Sequence, residues 1–399
     1  MKRILLAFAM VALVFPALRQ AEAHTEVSVD FFYDNLGSGS WVELGNYGYC
    51  WQPSVAVTNH SWRPYADGYW AYTDVGWTWV SYEDFGWATY HYGRWTRTRD
   101  HGWFWVPGRE WGPAWVSWRT GGDYVGWAPL PPSGGGEVVY EGRAITGAVD
   151  VEFDIGPSYY NFVDIRYIGE PVLRERIFAP EQNYGYINQT VNVTNITYNN
   201  STVYNYGPDY NTLSQYSTRP IQRLTLQRQL SGDLGAAAQS GAMTRVQGNQ
   251  LMVAAPMQFQ KAAAGDAPKT VKEKIAQPTI EHGWASMDDP KEEAKLKSKM
   301  KAENSKEVPP PTMKPNPAAA AAASETNVAP GAKKSPDDTS AAANPAIMPT
   351  NPAVNGKGKG KDGRGAMPAV GASPATLAQP QVAADKGKDE ALPPVAPGK

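Results

Sequence analysis

The sequence lacks lysine over most of its length, because none occurs between Lys2 and Lys261. Arginine is the basic residue in that stretch, and the preference reverses beyond Lys261, where Arg364 is the only arginine. Aromatic residues stop as sharply, since no Phe, Trp or Tyr follows Trp284. A segment of Ala, Pro, Gly and Lys buries too little apolar surface to offset the entropy lost on ordering. We therefore expect a disordered Ala/Pro/Lys-rich tail over residues 308–399.

Cysteine is also scarce, since Cys50 is the only one. A single cysteine excludes an intrachain disulfide, and the neighbouring Tyr49 and Trp51 favour a buried apolar role for it. The net charge of −2 supplies no basic field for nucleic acid, so we expect no nucleic-acid partner. No run of 18 apolar residues occurs, so no transmembrane span is expected in the mature chain.

The N-terminus has the pattern of a secretory signal. Lys2 and Arg3 precede an apolar run from Ile4 to Ala17, and Ala21-Glu22-Ala23 is a small-x-small cleavage site. We predict a signal peptide over residues 1–23 and a mature chain that starts at His24. The protein is therefore expected to be exported, to the periplasm or the extracellular space, with association with the outer envelope as an option.

Tryptophan is concentrated in one segment. Fourteen of the fifteen tryptophans, with nine tyrosines and two phenylalanines, lie between Trp41 and Trp127. A Gly-Trp-x-Trp-Val pattern occurs at Gly76–Val80 and again at Gly102–Val106, and alternate residues of a strand share one face. These features predict an all-β, aromatic-rich repeat module of antiparallel hairpins over residues 41–132. Its structural core is predicted to include Trp77, Trp79, Trp103 and Trp105.

Regular structure is expected to become sparser after the module. Residues 133–260 form a β-rich, irregular, Asn/Thr-rich region with extra strands. We predict a linker over residues 261–307 that contains one charged, solvated helix at 290–303. Asp289 as N-cap and Pro290 at the first helical position would begin this helix.

The module has more aromatic surface than a small domain is expected to hide. A domain of about 90 residues buries only about 60% of its unfolded surface. Aromatic residues bury roughly 150–250 Å² each, so some of these rings should remain exposed and bind a ligand. We predict the ligand-binding residues to be Trp87, Tyr90, Tyr92 and Trp111. The alternative is that stacked arginines cover the rings, the candidates being Arg63, Arg94, Arg97, Arg99, Arg109 and Arg119.

The stretch from Trp62 to Pro132 resembles the DUF6600 family, which is found in exported bacterial proteins. The strings that carry the resemblance include GYWAYTDVGWTWV and GRWTRTRDHGWFWV. The resemblance covers about a fifth of the chain and implies export and a β-rich aromatic fold. The family has no established activity, so the resemblance implies no catalytic residues.

No catalytic or metal site is evident in the sequence. Acidic residues of the module could act in pairs, but nothing fixes their separation; they include Asp67, Asp74, Glu83, Asp84, Asp100, Glu110 and Asp123. His60, His91 and His101 lack metal-ligand spacing. We therefore predict no catalytic residue, no metal and no cofactor.

The predicted function is a non-enzymatic envelope protein of unknown molecular activity. It would act as a binding or scaffold module and engage a cell-envelope glycan or a protein through aromatic surface. One alternative is a polysaccharide hydrolase that uses paired carboxylates, and another is a purely structural spacer. The sequence leaves the oligomeric state open.

Overall fold

Strands dominate the structure. The computed structural model describes residues 27–135, 138–229 and 232–317, so the predicted signal peptide and residues 318–399 of the predicted tail lie outside the described residues. The strands in chain order are β1 (Gly39–Leu44), β2 (Tyr49–Pro53), β3 (Gly68–Thr73), β4 (Gly76–Ser81), β5 (Arg94–Thr98), β6 (Gly102–Val106), β7 (Val116–Gly121), β8 (Tyr124–Pro129), β9 (Ile145–Thr146), β10 (Asn161–Asp164), β11 (Val191–Asn192), β12 (Asn195–Asn199), β13 (Thr202–Asn205), β14 (Gln222–Arg223), β15 (Thr225–Arg228), β16 (Thr244–Gln247), β17 (Gln250–Val253) and β18 (Val271–Ile275).

The helices are short, with one exception of thirteen residues near residue 300. They are α1 (Phe31–Asn35), α2 (Ser54–Thr58), α3 (Gly86–Thr89), α4 (Val149–Glu152), α5 (Asn183–Gln189), α6 (Tyr210–Tyr216), α7 (Leu234–Gln239) and α8 (Pro290–Ala302). The prediction of a mostly β, aromatic-rich fold with sparse helix is confirmed.

Four hairpins each place two tryptophans directly opposite one another, in β1–β2, β3–β4, β5–β6 and β7–β8. The pairs are Trp41 with Trp51, Trp70 with Trp79, Trp95 with Trp105, and Trp118 with Trp127. Cross-strand aromatic pairs stabilise a sheet by direct contact. The turn of β3–β4 needs a glycine, because Gly76 has φ +89° and an added Cβ would lie 2.0 Å from the Asn205 carbonyl oxygen.

Later strands complete the sheets of the module. The sheet orders are β18-β1-β2-β6-β5, β10-β8-β7-β11, β14-β3-β4-β13-β12-β9 and β15-β17-β16. Strand β18 runs parallel to β1, while β10 and β11 flank the β7–β8 hairpin. Residues 41–132 therefore share three sheets with residues that follow them in the chain, and all the described residues belong to one compact unit.

The tryptophans of residues 41–132 are all buried, and the most exposed of them is Trp62 at 9%. The residues predicted to form the core, Trp77, Trp79, Trp103 and Trp105, lie in it. Segments beyond the module cover these rings: Phe259 packs on Tyr92, and Tyr159 packs on Trp103.

The predicted exposed aromatic face is wrong. Trp87 is 6% exposed, Trp111 is 1% exposed, and Tyr90 and Tyr92 are fully buried. A domain of about 90 residues would leave some of these rings exposed, but they are covered by a chain of nearly three hundred residues, which hides a larger fraction of its surface. Stacked arginine also contributes, since Arg228 lies 4.3 Å above the ring of Trp111.

The C-terminal part of the described chain packs on the fold. Asp289 caps α8 by accepting a hydrogen bond from the backbone N–H of Lys291. The helix is not solvated on all sides, because Leu296 and Met300 are buried. Residues 308–317, which were expected to begin the disordered tail, lie against the fold, where Thr312 bonds to Asp123.

Candidate functional site

A cleft of about 860 Å³ lies beside the β7–β8 turn. We call it the tyrosine cleft, after Tyr72, Tyr206 and Tyr210, which line it. Tyr72 comes from β3, Tyr206 follows β13, and Tyr210 begins α6. The cleft exists because β13 pairs alongside β4 and so carries the segment that follows it to the β3–β4 hairpin. Its apolar lining includes Ile165, Val193 and Leu213.

The tyrosines of the cleft also pack on other aromatic rings. Tyr72 and Tyr210 have ring centroids 4.7 Å apart, and Tyr206 stacks on Tyr204 with centroids 5.7 Å apart and planes within 13°. Tyr206 is 41% exposed. Burial raises the pKa of Tyr206 and of Tyr72, so both phenols stay neutral at physiological pH and can donate and accept hydrogen bonds.

Planar polar groups surround the tyrosine rings. The cleft is also lined by Asn195, Asp209, Asn211 and Arg223. Asp209 is fixed because it caps α6, where its Oδ1 accepts a hydrogen bond of 2.7 Å from the backbone N–H of Thr212. Arg223 is fixed over Tyr210, with its guanidinium carbon 4.9 Å from the ring centroid. Aromatic faces beside amide, carboxylate and guanidinium groups can bind a ligand that has apolar faces and hydroxyl edges.

A second cleft, of about 480 Å³, contains two acidic residues, Asp67 and Glu83. Asp67 pairs with Arg174 at 2.9 Å. Glu83 accepts a hydrogen bond of 2.7 Å from the indole N–H of Trp62 and another from the hydroxyl of Tyr90. Burial raises the pKa of Glu83 to about 7, although these two hydrogen bonds act to lower it. The cleft therefore holds a carboxyl group that exchanges its proton near neutral pH.

The raised pKa of Glu83 predicts how the stability of the fold depends on pH. Its folded pKa of about 7 lies above the ordinary value of 4.5, so the folded state binds the proton more tightly and loses stability as pH rises through that window. That loss amounts to about 3 kcal/mol. We expect Glu83→Gln to remove it, so that denaturant titrations show the variant gaining about 3 kcal/mol on the wild type between pH 4.5 and pH 8. Parallel pH profiles for the two proteins would contradict the assignment.

A third polar group is centred on a fully buried arginine. The Arg119 guanidinium on β7 bonds to the carboxylates of Asp150 and Glu303, and Tyr160 donates to Asp150. Arg119 also donates to the Thr190 carbonyl oxygen at 3.0 Å. Burial acts to lower the pKa of Arg119, but Asp150, Tyr160 and Glu303 raise it above its ordinary value. This cluster joins four separate parts of the chain, and we expect it to stabilise the fold.

Cys50 and the three histidines of the module are the side chains to consider for nucleophilic or metal chemistry. Burial raises the pKa of the Cys50 thiol well above its usual range, so it is a poor nucleophile. His91 stacks on Trp111 at 5.2 Å, and burial lowers its pKa to about 4, whereas His60 and His101 are exposed. No group of three or more His, Cys, Asp or Glu side chains that could hold a metal ion occurs among residues 27–135, 138–229 and 232–317.

The described part of the chain has no helix that is long and apolar enough to cross a lipid bilayer.

The tyrosine cleft was not found from the sequence. Tyr206 and Tyr210 lie in the Asn/Thr-rich region of residues 133–260, for which the sequence predicted only extra strands. Glu83 was among the acidic residues considered, but only the fold brings it into one cleft with Asp67. The available signal was composition, because tyrosine remains frequent between residues 198 and 216 although tryptophan is absent there.

Comparison with known proteins agrees with the resemblance in the sequence. Residues 33–134 match the model of a family of unknown function, DUF6600. The match covers β1 to β8 and therefore all four tryptophan-paired hairpins. It ends before β13 and α6, so Tyr72 is the one tyrosine among the three of the cleft that lies within it. No curated protein and no solved structure matches the chain.

Proposed function

We propose that this protein is an exported, non-enzymatic binding protein of the cell envelope, and that its tyrosine cleft binds a hydroxyl-rich polymer, a glycan. The observation that carries the proposal is the cleft itself, in which Tyr72, Tyr206 and Tyr210 lie beside polar Asp209 and Arg223. A sugar ring has an apolar face that fits an aromatic ring and hydroxyl edges that bond to planar polar groups. Export rests on the signal peptide that the sequence predicts over residues 1–23.

The proposed binding surface is still aromatic, but it consists of the tyrosines of the cleft and not of the residues predicted from the sequence. The tryptophans are occupied with each other, whereas Tyr206 is 41% exposed and lies on a cleft of about 860 Å³. That volume is within the usual range for ligand sites, roughly 300–1,000 Å³. The hairpins are the rigid frame in this proposal, and the later segments supply the contacts to the ligand.

Truncation of Tyr206 tests the proposal. We expect Tyr206→Ala to weaken retention of the purified mature chain on insoluble cell-wall and exopolysaccharide fractions by about tenfold, since loss of one stacking face costs on the order of 1.4 kcal/mol. Tyr184→Ala is the matched control, because Tyr184 is 40% exposed and does not line the cleft. Equal retention of both variants, or no retention of the wild type on either fraction, would contradict the proposal.

One observation favours a second candidate, a polysaccharide hydrolase. Glu83 would be a general acid, since its pKa of about 7 keeps it partly protonated at neutral pH, and Asp67 would be the second carboxylate in the same cleft. A carboxyl pair of this kind acts by protonating the leaving oxygen while the other group stabilises or attacks the sugar.

Product release separates the two candidates. If the protein is a hydrolase, incubation with the same fractions releases reducing ends, and Glu83→Gln or Asp67→Asn abolishes the release. Asp84→Asn is the control, because Asp84 is exposed and does not line the cleft. The binding proposal predicts that the wild type is retained on the fractions and releases no soluble product. If the wild type releases a product and Glu83→Gln abolishes that release, the binding proposal is wrong and the protein is a hydrolase.

A further inference from the structure

The chain itself supplies one wall of the tyrosine cleft. Residues 304–317, which we call the strap, follow α8 and line the cleft with Ser305, Val308 and Pro309–Pro311. Three consecutive prolines favour an extended, stiff backbone. The strap therefore bounds the cleft as a narrow rod, and it connects α8 to the end of α6.

The upstream end of the strap is firmly attached. Glu303 is largely buried and bonds to the Arg119 guanidinium, and its Oε2 accepts a hydrogen bond of 3.0 Å from the backbone N–H of Asn192. Leu296 and Met300 of the preceding helix are buried. A buried carboxylate on a buried guanidinium is held strongly, because separating the pair leaves both charges without a partner.

The rest of the strap is attached at its surface. Asp123 holds it, since the carboxylate accepts from the backbone N–H of Thr312 at 2.8 Å, from the Thr312 hydroxyl, and from the backbone N–H of Met313 at 3.3 Å. The Pro309 carbonyl oxygen accepts a hydrogen bond of 2.9 Å from the backbone N–H of Gly122. Asn316 donates hydrogen bonds to backbone carbonyl oxygens at the end of α6. Met313 packs partly buried against the core, whereas Thr312 is exposed. Exposed hydrogen bonds with few buried apolar contacts open at low free energy.

The seat for the strap requires glycine. Gly121 has φ +152°, and an added Cβ would lie 2.9 Å from Cδ of Pro309 and 2.8 Å from the Gln189 carbonyl oxygen. The absence of a side chain at Gly121 therefore allows the Pro309–Pro311 segment to pack closely on the β7–β8 turn. The same turn places Asp123 where it meets Thr312.

We infer that the strap is a latch on the tyrosine cleft. It swings from its anchor at Glu303, and its hydrogen bonds to Asp123 hold it closed. Because the strap forms one wall of the cleft, its opening would widen the cleft and let a long polymer chain leave it on that side. The inference rests on the proposed function, because it assigns regulation to the cleft that binds the glycan.

A reversible lock tests the latch. In Asp123→Cys/Thr312→Cys the two side chains that now share a hydrogen bond can form a disulfide, and the native Cys50 is fully buried and does not compete. We expect oxidation to lower retention of the full mature chain on the cell-wall and exopolysaccharide fractions by at least about tenfold, because apparent affinity falls with the open fraction. Reduction restores it. Asp123→Ala, which only releases the strap, is expected to raise retention.

A second measurement keeps the latch separate from the glycan proposal. We expect the backbone amides of Thr312 and Met313 in the full chain to exchange hydrogen much faster than that of Trp118, and the oxidised double variant to slow them. Equal retention of oxidised and reduced double variant, with wild-type binding intact, would overturn the latch and leave the cleft. Absence of retention for every protein would overturn the glycan proposal, and exchange at Thr312 as slow as at Trp118 would then overturn the latch by itself.

Discussion

Arg119→Met is expected to lower the free energy of unfolding by about 3–5 kcal/mol, because it leaves the carboxylates of Asp150 and Glu303 buried without their cation. The side chain of Arg119 is fully buried, and those of Asp150 and Glu303 are 2% and 6% exposed. Denaturant unfolding followed by circular dichroism measures the loss.

Two controls distinguish charge burial from the loss of a long side chain. Arg143→Met should cost about 1 kcal/mol or less, because the side chains of Arg143 and its partner Glu141 are 83% and 68% exposed and their charged groups lie 3.3 Å apart. Adding Asp150→Asn and Glu303→Gln to Arg119→Met should recover part of the stability, since the unpaired charges are removed. A loss for Arg119→Met no larger than that for Arg143→Met would contradict the account of the cluster.

Trp118→Ala is expected to cost about 3–5 kcal/mol, because a fully buried indole in the middle of the aromatic core leaves a cavity. The Trp118 ring lies 4.4 Å from Trp70, 5.7 Å from Trp77 and 5.9 Å from Trp127. Its N–H also donates to Asn205 Oδ1 at 3.1 Å, so the substitution removes a partner from a buried amide. Thermal or denaturant unfolding measures the effect.

The control for Trp118 is an aromatic residue on the surface. Tyr198 is 41% exposed, and Tyr198→Ala should change the free energy of unfolding by about 0.5 kcal/mol or less. If Trp118→Ala were as mild as Tyr198→Ala, the tryptophans would not form the tightly packed core that the contacts indicate.

The hairpins could be predicted from sequence because their signals are local. Gly76-Trp77-Thr78-Trp79 combines a turn residue with alternating rings, and both follow from the two-residue period of a strand. The strand pairs that place Trp70 opposite Trp79 need only a register set by the turn. The match of residues 33–134 to a known family covers the same local pattern.

What covers the hairpins could not be predicted, because it depends on contacts between distant residues. Trp103 is covered by Tyr159, which lies 56 positions further along the chain, and Tyr92 by Phe259. Without that pairing information, Trp87 and Trp111 seemed to lack cover. The residues of the tyrosine cleft meet for the same reason, since Tyr72 and Tyr210 are brought together only when β13 lies beside β4.

The charge cluster shows the same limit of local patterns. Glu303 was expected at the end of a solvated helix, and its neighbours Lys299 and Lys301 fit that expectation. Its burial depends on Arg119, which lies 184 positions away. Leu296 and Met300 lie four positions apart and so share one face of α8, which was the local sign that the helix packs on the fold.

Hydroxyl-radical footprinting of the mature chain, with and without the cell-wall and exopolysaccharide fractions, tests the central claim most directly because it reads each ring separately. The account predicts strong labelling of Tyr206 in the free protein, protection of Tyr206, Tyr72 and Tyr210 by the bound fraction, and little labelling of Trp87 and Trp111 in either state. Labelling of Trp87 and Trp111 in the folded protein, with protection there instead of at the cleft, would contradict it.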